Sequence, residues 1–117
     1  MVEEKARELG RLIGQSSEYQ AVKATSDALN GDSDAVAALR RMEELRTEAQ
    51  RMVQRGESPA QAMEEELDGL LTRIQSNLTY QRAVSAQENF DKTMLRVNEW
   101  ILDGIKRGAE SRIITLG

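Results

Sequence analysis

The sequence predicts an all-α fold, an elongated helical hairpin or bundle of about five helices with a long C-terminal helix. Apolar residues recur every three or four positions through most of the chain, and cap residues and glycines divide it into helix-sized segments. Hydrophobic residues make up 39% and charged residues 31% of the 117 positions, with a single proline, a balance typical of helical bundles. We therefore expect residues 1–117 to form one domain with a modest core.

The first two predicted helices are short. The first covers residues 2–14, and its apolar face carries Ala6, Leu9 and Ile13. Ser16 or Ser17 can cap the second helix, because a side-chain oxygen there can accept a hydrogen bond from a free backbone amide. The second helix ends at the turn signal Asn30-Gly31. Its apolar face carries Tyr19, Val22, Ser26 and Leu29.

The third predicted helix begins at a cap formed by Asp32, Ser33 or Asp34 and ends at Gly56, a residue suited to the position after a helix. Its apolar face carries Val36, Leu39, Met42, Leu45, Ala49, Met52 and Val53. Its outer face mixes both charges and is expected to be solvated and ion-paired rather than a track for phosphates; it carries Arg40, Glu44, Glu48, Arg51 and Arg55.

The fourth predicted helix starts at Ser58-Pro59. We expect Ser58 to cap it, Pro59 to take the first helical position, and Gln61 to reach back in a capping box. Its apolar face carries Ala60, Met63, Leu67, Leu70, Leu71 and Ile74. The short link from Gly56 to Ser58 predicts that the third and fourth helices lie antiparallel or at a sharp angle.

The chain is organised around a long helix predicted over residues 77–107, after a break at Asn77. Its apolar stripe makes one double step across Gln87 and carries Tyr80, Ala83, Phe90, Met94, Val97, Ile101 and Ile105. A helix of that length extends roughly 46 Å and needs other long helices, from this chain or a second copy, to cover its stripe. We expect the fourth helix to cover part of it. The alternative is that the first two helices fold back over the distal half.

The uncovered part of the stripe predicts a homodimer interface. The candidate interface residues are Phe90, Met94, Val97, Trp100, Ile101 and Ile105. Trp100 lies about 120° around the helix from Met94, so its ring needs a second contacting surface. That surface is provided by the N-terminal helices, by a second copy or by a different protein. Gln87 either fixes the register of such a seam by pairing with a polar partner or faces solvent.

The composition excludes several classes of chemistry. The chain has no cysteine, which rules out disulfides, thiolate zinc sites and cysteine nucleophiles. It has no histidine, the commonest metal ligand and general base. We therefore expect no enzymatic activity, no catalytic residues and no cofactor.

Charge and hydropathy predict where the protein works. The formal net charge of −4 gives no general attraction to nucleic acid or to anionic lipid. No apolar run approaches the roughly 18 residues that a membrane span needs, and the N-terminus lacks a signal peptide. We expect a cytoplasmic protein that neither inserts into membranes nor binds nucleic acid directly.

The densest acidic cluster consists of Glu64, Glu65, Glu66 and Asp68. Glu64 and Asp68 share a helix face, and two carboxylates there could hold a hard cation. Negative charge in the first turns of a helix is also favoured by the helix dipole without any metal. We expect the second explanation to hold, with a carboxylate-based metalloprotein as the alternative.

The order and spacing of several helix motifs resemble the YlbF/YmcA family, which includes the YheA-like proteins. The resemblance extends from about Ala6 to Ile105. The matching motifs are Ala6-Arg7-Glu8-Leu9, Ser17-Glu18-Tyr19, Asp34-Ala35, Leu39, Met42, Leu45, Ile74, Asn77, Tyr80, Ala83, Val97-Asn98 and Ile101.

The resemblance implies an all-helical protein built on a long hairpin that tends to dimerise. Family members in Gram-positive bacteria act in competence, sporulation and biofilm control, some within a complex that modulates mRNA processing by the membrane-bound endoribonuclease Y. No catalytic residues are attributed to the family. Some members have a cysteine-rich segment linked to iron–sulfur binding, which this chain lacks. The short chain is closer in form to the YheA-like branch.

The expected function is that of a non-enzymatic helical adaptor or regulator that acts through protein–protein contacts as a homodimer. The resemblance further implies a heterologous partner in an RNA-processing complex. The alternative is a structural subunit of a larger complex. Residues 108–117, which include Ile113, Ile114 and Leu116, are expected to form a flexible tail or a segment that docks on a partner.

Overall fold

A computed structural model describes the backbone of residues 1–116 and the side chains of residues 1–110. Within that range the chain contains no strand and is built from five α-helices. They are α1 (Val2–Gly14), α2 (Ser17–Asn30), α3 (Ser33–Gln54), α4 (Gln61–Gln75) and α5 (Leu78–Leu116). The predicted all-α class and long C-terminal helix are confirmed. The side chains of residues 111–117 lie outside the described residues. That residues 108–117 form a flexible tail or a segment that docks on a partner therefore stays a prediction.

The molecule is elongated. Its principal extents are 70 × 37 × 20 Å and its radius of gyration is 21.8 Å. A compact domain of this length has a radius of gyration of roughly 13 Å. The helices therefore form two extended pairs that meet at a junction, and much of each helix remains at the surface.

The two pairs are α2 with α5 and α3 with α4. The ring of Tyr19 meets that of Phe90 edge-on at 5.4 Å, while Leu29 and Tyr80 lie together at the junction, so α2 runs antiparallel to the first half of α5. Helix α4 was expected to cover part of the α5 stripe; it reaches only the start of that stripe, at Tyr80, because it packs chiefly on α3. Ala35 and Ala38 of α3 lie in one buried cluster with Ile74 of α4.

The junction contains the best-buried part of the core. Ala35, Ala38, Met42 and Ile74 are each at most 5% exposed. The partly buried residues packed against them are Leu29, Leu39, Leu67, Leu70 and Tyr80. Four of the five helices contribute to this cluster. It holds the two helix pairs together.

Local chemistry fixes most helix ends as predicted. The Ser16 hydroxyl accepts a hydrogen bond from the Tyr19 amide at 3.2 Å and caps α2. Asp32 caps α3 by accepting from the Ala35 amide at 3.0 Å. Gly56 follows α3 with φ of 78°, a left-handed conformation that favours glycine, and the next amide returns to the Met52 carbonyl at 2.8 Å.

The predicted cap at Ser58 is wrong. Helix α4 begins at Gln61 after Ala60, which has an extended backbone and no side-chain cap. The half-buried Pro59 lies in the extended link and lines a cleft with Ala49 of α3, so the chain packs its proline before the helix starts. Gln61 forms no capping box; its amide donates instead to Glu65 at 3.1 Å.

Asn77 joins the starts of two helices. Its side-chain oxygen accepts from the Tyr80 amide at 2.9 Å, which caps α5 and confirms the predicted break. Its side-chain amide donates to the second carboxylate oxygen of Asp32 at 3.1 Å. The pKa of Asp32 is lowered, first by the hydrogen bond from the Ala35 amide and then by that from Asn77. The N-termini of α3 and α5 are thereby tied together beside the core.

Replacing Asn77 with alanine should remove both the cap of α5 and its link to Asp32. We expect the free energy of unfolding to fall by about 1–2 kcal/mol, the upper part of the range for a lost N-cap. Urea denaturation followed by circular dichroism measures this. Ser76→Ala is the matched control, because Ser76 donates only to Thr72 of its own helix. Equal stabilities of the two variants would contradict the role assigned to Asn77.

Candidate functional site

The distal segment, residues 98–110 of α5, is the largest continuous part of the described chain that no other helix covers. Every residue in it is exposed. Trp100 is 67% exposed, Ile101 is 44% exposed, and Leu102 and Ile105 are each 60% exposed. Large apolar side chains thus project from the end of the rod into solvent.

The apolar residues of the distal segment occupy more than half of its circumference. At 3.6 residues per turn, Trp100 and Leu102 lie about 100° to either side of Ile101, which gives an apolar arc of roughly 200°. The opposite face is charged and carries Glu99, Asp103 and Lys106. A helix that is apolar around most of its surface is normally buried against more than one neighbour.

The structure divides the six predicted interface residues into two groups. Phe90 and Met94 are half-buried within the chain, and Val97 is only 6% exposed. Trp100, Ile101 and Ile105 are open. Helix α2 packs along α5, and the stripe is buried as far as Val97, so the part of α5 that is left uncovered covers residues 98–110. The role of these residues in a dimer stays a prediction, and the open group is the part available to a partner.

The apparent double step of the stripe has a simple structural explanation. Ala86 is 8% exposed and fills the position on the stripe between Ala83 and Phe90. Gln87 is exposed and its amide donates to the Asp91 carboxylate at 2.9 Å. Within one chain Gln87 therefore faces solvent. A search restricted to large apolar residues misses Ala86.

The accessible surface is larger than that of a compact monomer. The chain exposes 9191 Å², whereas a compact monomer of 13.1 kDa exposes roughly 6,400 Å². The difference, roughly 2,800 Å², exceeds the roughly 800 Å² that each partner contributes to a standard protein–protein interface. The elongated chain has enough surplus surface for a stable contact.

A second concave surface lies between α3 and α4. It encloses about 950 Å³ and is lined by both apolar and charged residues, among them Val36, Leu39 and Met63. Arg41 spans it with a two-point ion pair to Glu66, at 2.7 and 3.1 Å, and also contacts Glu44 at 3.2 Å. Three arginines and four glutamates line this groove, and Arg41 is held there by ion pairs to Glu66 and Glu44. The sequence alone does not predict this groove, because its shape depends on which helices pair.

The acidic residues of α4 are engaged separately. Glu66 pairs with Arg41, and Glu65 accepts from Gln61. The hydrogen bond from Arg41 lowers the pKa of Glu66, and the two carboxylates raise the pKa of Arg41. Among the side chains described, three or more carboxylates do not come together at metal-binding distance. The absence of a bound metal remains a prediction.

The Arg41–Glu66 pair should make part of the stability depend on pH. Because the folded pKa of Glu66 lies below its usual 4.5, the pair stabilises the fold above that pH and is lost as pH falls through the folded value. Glu66→Gln should therefore lower the urea midpoint near pH 7, and its difference from wild type should shrink as the pH falls below 4.5.

Urea titrations of both proteins across that pH range measure the effect. Glu43→Gln is the control, because Glu43 makes no ion pair within residues 1–110. A difference between wild type and Glu66→Gln that grows in acid would contradict the assigned pKa shift.

Among the described residues, no helix is both long enough and apolar enough to cross a membrane.

Comparison with known proteins gives a family match over nearly the whole chain. The family model described as "Control of competence regulator ComK, YlbF/YmcA" matches residues 2–106. A UPF0342 protein of Streptococcus sanguinis is 25% identical over 101 residues, which cover 86% of this chain and 90% of that protein. A UPF0342 protein of Streptococcus agalactiae is 33% identical over 72 residues, 62% of this chain. That match spans 65% of the S. agalactiae protein, just under two thirds of its length.

Proposed function

The chain belongs to the YlbF/YmcA family, and from that premise we propose that it is a regulatory protein that works through protein–protein contacts rather than catalysis. The description of the family names control of the competence regulator ComK, so a regulatory role fits this chain. The open distal segment of α5 is the observation that carries the proposal, because it offers an anchor of the kind that protein interfaces use. Tryptophan is one of the residues that most often supply such anchors.

The contact is proposed to be a homodimer, with the distal segments of two copies packed together. Burying a large apolar side chain contributes about 1.5–3 kcal/mol, and two copies offer eight such side chains from this segment. Because these side chains are only 44–67% exposed in the single chain, the gain still available is roughly 7–14 kcal/mol, which is comparable with the estimated cost of association, about 4–15 kcal/mol. Around a two-fold axis the same apolar surface of each copy packs against its counterpart, so neither copy leaves that surface exposed.

The dimer is proposed to be an adaptor in the cytoplasm, with each chain forming one domain. By family resemblance its heterologous partner is expected in a complex that controls RNA processing. There are two alternatives to an adaptor. The first is a structural subunit of a larger complex, and the second is a metalloprotein whose metal is held by Glu64 and Asp68. These three functions differ in stoichiometry, in cellular effect and in metal content.

Complementation of a deletion strain tests the proposal. Wild type and the charge-exchange control Glu99→Lys/Lys106→Glu, on the opposite face of α5, should restore the transcript profile. Ile101→Glu/Ile105→Glu should behave like the deletion. Full complementation by that double variant would contradict the proposal. A fixed stoichiometric assembly unaffected by it would favour the structural subunit, and stoichiometric metal that disappears in Glu64→Ala/Asp68→Ala would favour the metalloprotein.

A further inference from the structure

One face of α4 opens onto two clefts that lie in a line. Glu64, Leu67, Leu71 and Gln75 are three or four residues apart, so they share this face along most of the helix. The first two border a cleft between α4 and α3, and the last two border a cleft between α4 and α5. We call this face, together with its two clefts, the α4 surface.

The cleft between α4 and α3 is small and apolar. It encloses about 210 Å³, and its apolar walls are formed by Leu45, Ala49, Pro59, Met63 and Leu67. Pockets for small-molecule ligands typically enclose about 300–1,000 Å³. A cavity of about 150 Å³ already holds a group the size of benzene. The cleft therefore suits one large apolar side chain of a partner better than a free small molecule.

The cleft between α4 and α5 is wider and is also partly apolar. It encloses about 540 Å³ and is bordered by Leu71 of α4 and by Tyr80 and Val84 of α5. Leu71 is 41% exposed and Val84 is 37% exposed. Because α4 packs chiefly on α3, this cleft stays open to solvent. A second large side chain can bind here.

The spacing of the clefts fits a helix. Eleven residues separate Glu64 from Gln75, a distance of roughly 17 Å or three helical turns. An amphipathic helix that lies along this face presents apolar side chains at matching intervals, which is a recurring mode of recognition. A partner strand would need a sheet edge, and the described residues contain no strand. Proline-rich segments bind grooves lined by several aromatic rings, whereas Tyr80 is the single aromatic residue of both clefts.

The charges of the α4 surface favour a basic partner. Glu64 and Glu88 border the two clefts, and Asp68 lies one turn after Glu64 on α4. None of the three carboxylates forms an ion pair within residues 1–110. Arg46 is the opposing charge, on the α3 wall. The net charge of the surface is thus negative, as is that of the whole chain, and charge complementarity selects a positive partner.

We infer that the α4 surface binds a basic amphipathic helix of a partner protein. Two large apolar side chains of that helix fill the clefts, and its lysines or arginines lie beside Glu64 and Glu88. This inference rests on the proposed role in protein–protein contacts and specifies the chemistry of the heterologous partner. The α4 surface is separate from the distal segment of α5, so a dimer and the partner helix can bind together.

Two synthetic peptides of roughly 15 residues test the inference. Both have leucines at positions i, i+3, i+7 and i+11, and the other positions are alanine with lysine in one peptide and alanine with glutamate in the other. Fluorescence anisotropy of the labelled peptides measures binding to the full-length protein. The lysine peptide should bind at least about tenfold more tightly at low salt, and the difference should narrow at high salt.

Charge reversal on the α4 surface tests where the peptide binds. Glu64→Lys/Glu88→Lys should weaken binding of the lysine peptide about tenfold at low salt. Glu43→Lys/Glu99→Lys changes the net charge equally, but neither residue borders a cleft of this surface, so binding should change little. Equal losses in the two double variants would mean that net charge alone attracts the peptide, which contradicts the inference.

An apolar substitution provides a second test. Leu71→Gln should weaken binding of the lysine peptide severalfold, because Leu71 borders the wider cleft. Leu12→Gln is the control, at an α1 position 57% exposed, and should bind as wild type does. Both proteins should keep the helical circular dichroism spectrum. Identical affinities of Leu71→Gln and wild type would contradict the assigned site.

Light scattering of the same proteins separates this inference from the proposed dimer. A dimeric wild type that binds neither peptide, or binds both equally, would overturn the inference alone. Loss of the dimer in Glu64→Lys/Glu88→Lys would mean that a second copy occupies the α4 surface, which also overturns it. A monomeric wild type that binds the lysine peptide would support the inference and contradict the dimer.

Discussion

Replacing Ile101 and Ile105 together with glutamate should convert the protein from dimers to folded monomers. In the single chain Ile101 is 44% and Ile105 is 60% exposed, so a glutamate at either position can still reach water and the monomer tolerates the charges. In the dimer each carboxylate would be desolvated without a partner, at a cost of several kcal/mol per ion. At 1.4 kcal/mol per factor of ten, the dimer dissociation constant should rise at least about a thousandfold.

Light scattering and circular dichroism together measure this result. Glu99→Lys/Lys106→Glu exchanges charges on the opposite face of α5 and should remain dimeric. A double glutamate variant that stays dimeric would place the interface elsewhere. An unfolded one would mean that the distal segment packs inside its own chain. Met94→Glu is a poorer probe, because Met94 is half-buried and its replacement would disturb the monomer as well.

Replacing Ile74 with alanine should produce the largest loss of stability. Ile74 is 1% exposed and lies in the junction with Ala35, Ala38 and Met42. Truncating a buried isoleucine costs about 2–5 kcal/mol, through lost burial and the cavity left behind. A small domain has only about 5–15 kcal/mol in total, so the variant should unfold at much lower urea or temperature.

Two matched substitutions make the Ile74 result interpretable. Ile74→Val should cost only about 0.5–1.5 kcal/mol, since it removes a single methylene group. Leu95→Ala, at a position 64% exposed, should change the stability of the monomer by less than about 0.5 kcal/mol. An Ile74→Ala variant as stable as Leu95→Ala would mean that the junction is not the core of the molecule.

Most helix boundaries were predictable because they depend on neighbouring residues. Ser16, Asp32 and Asn77 accept hydrogen bonds from amides three residues further on, and Gly56 adopts a left-handed backbone. These interactions are local, so the sequence reveals them. The error at Ser58 arose because Pro59 packs on α3, a contact between distant residues.

The pairing of helices was not predictable in the same way. Each apolar stripe indicates that a helix has a buried face, but it does not identify the neighbour. The short link after Gly56 correctly predicts that α3 and α4 lie together, but the stripe of α5 was assigned to α4, whereas α2 covers most of it. Ala35, Ala38 and Ala86 were overlooked because alanine contributes little hydrophobicity. In the structure all three are buried, each at most 8% exposed.

The candidate site was predicted in outline. The sequence placed an uncovered apolar surface on the second half of α5, and the structure leaves Trp100, Ile101 and Ile105 open. The boundary falls just after Val97, which is buried. It depends on where α2 begins along α5 and on the direction of α1. Sequence periodicity contains neither quantity.

Light scattering of the wild-type protein at micromolar concentration tests the central claim most directly. If the distal segment of α5 is the contact surface proposed here, the measured mass should be twice that of the 13.1 kDa chain. It should fall to the mass of one chain on dilution below the dissociation constant or on introduction of the two glutamates. A wild-type mass near 13.1 kDa at micromolar concentration would contradict the account.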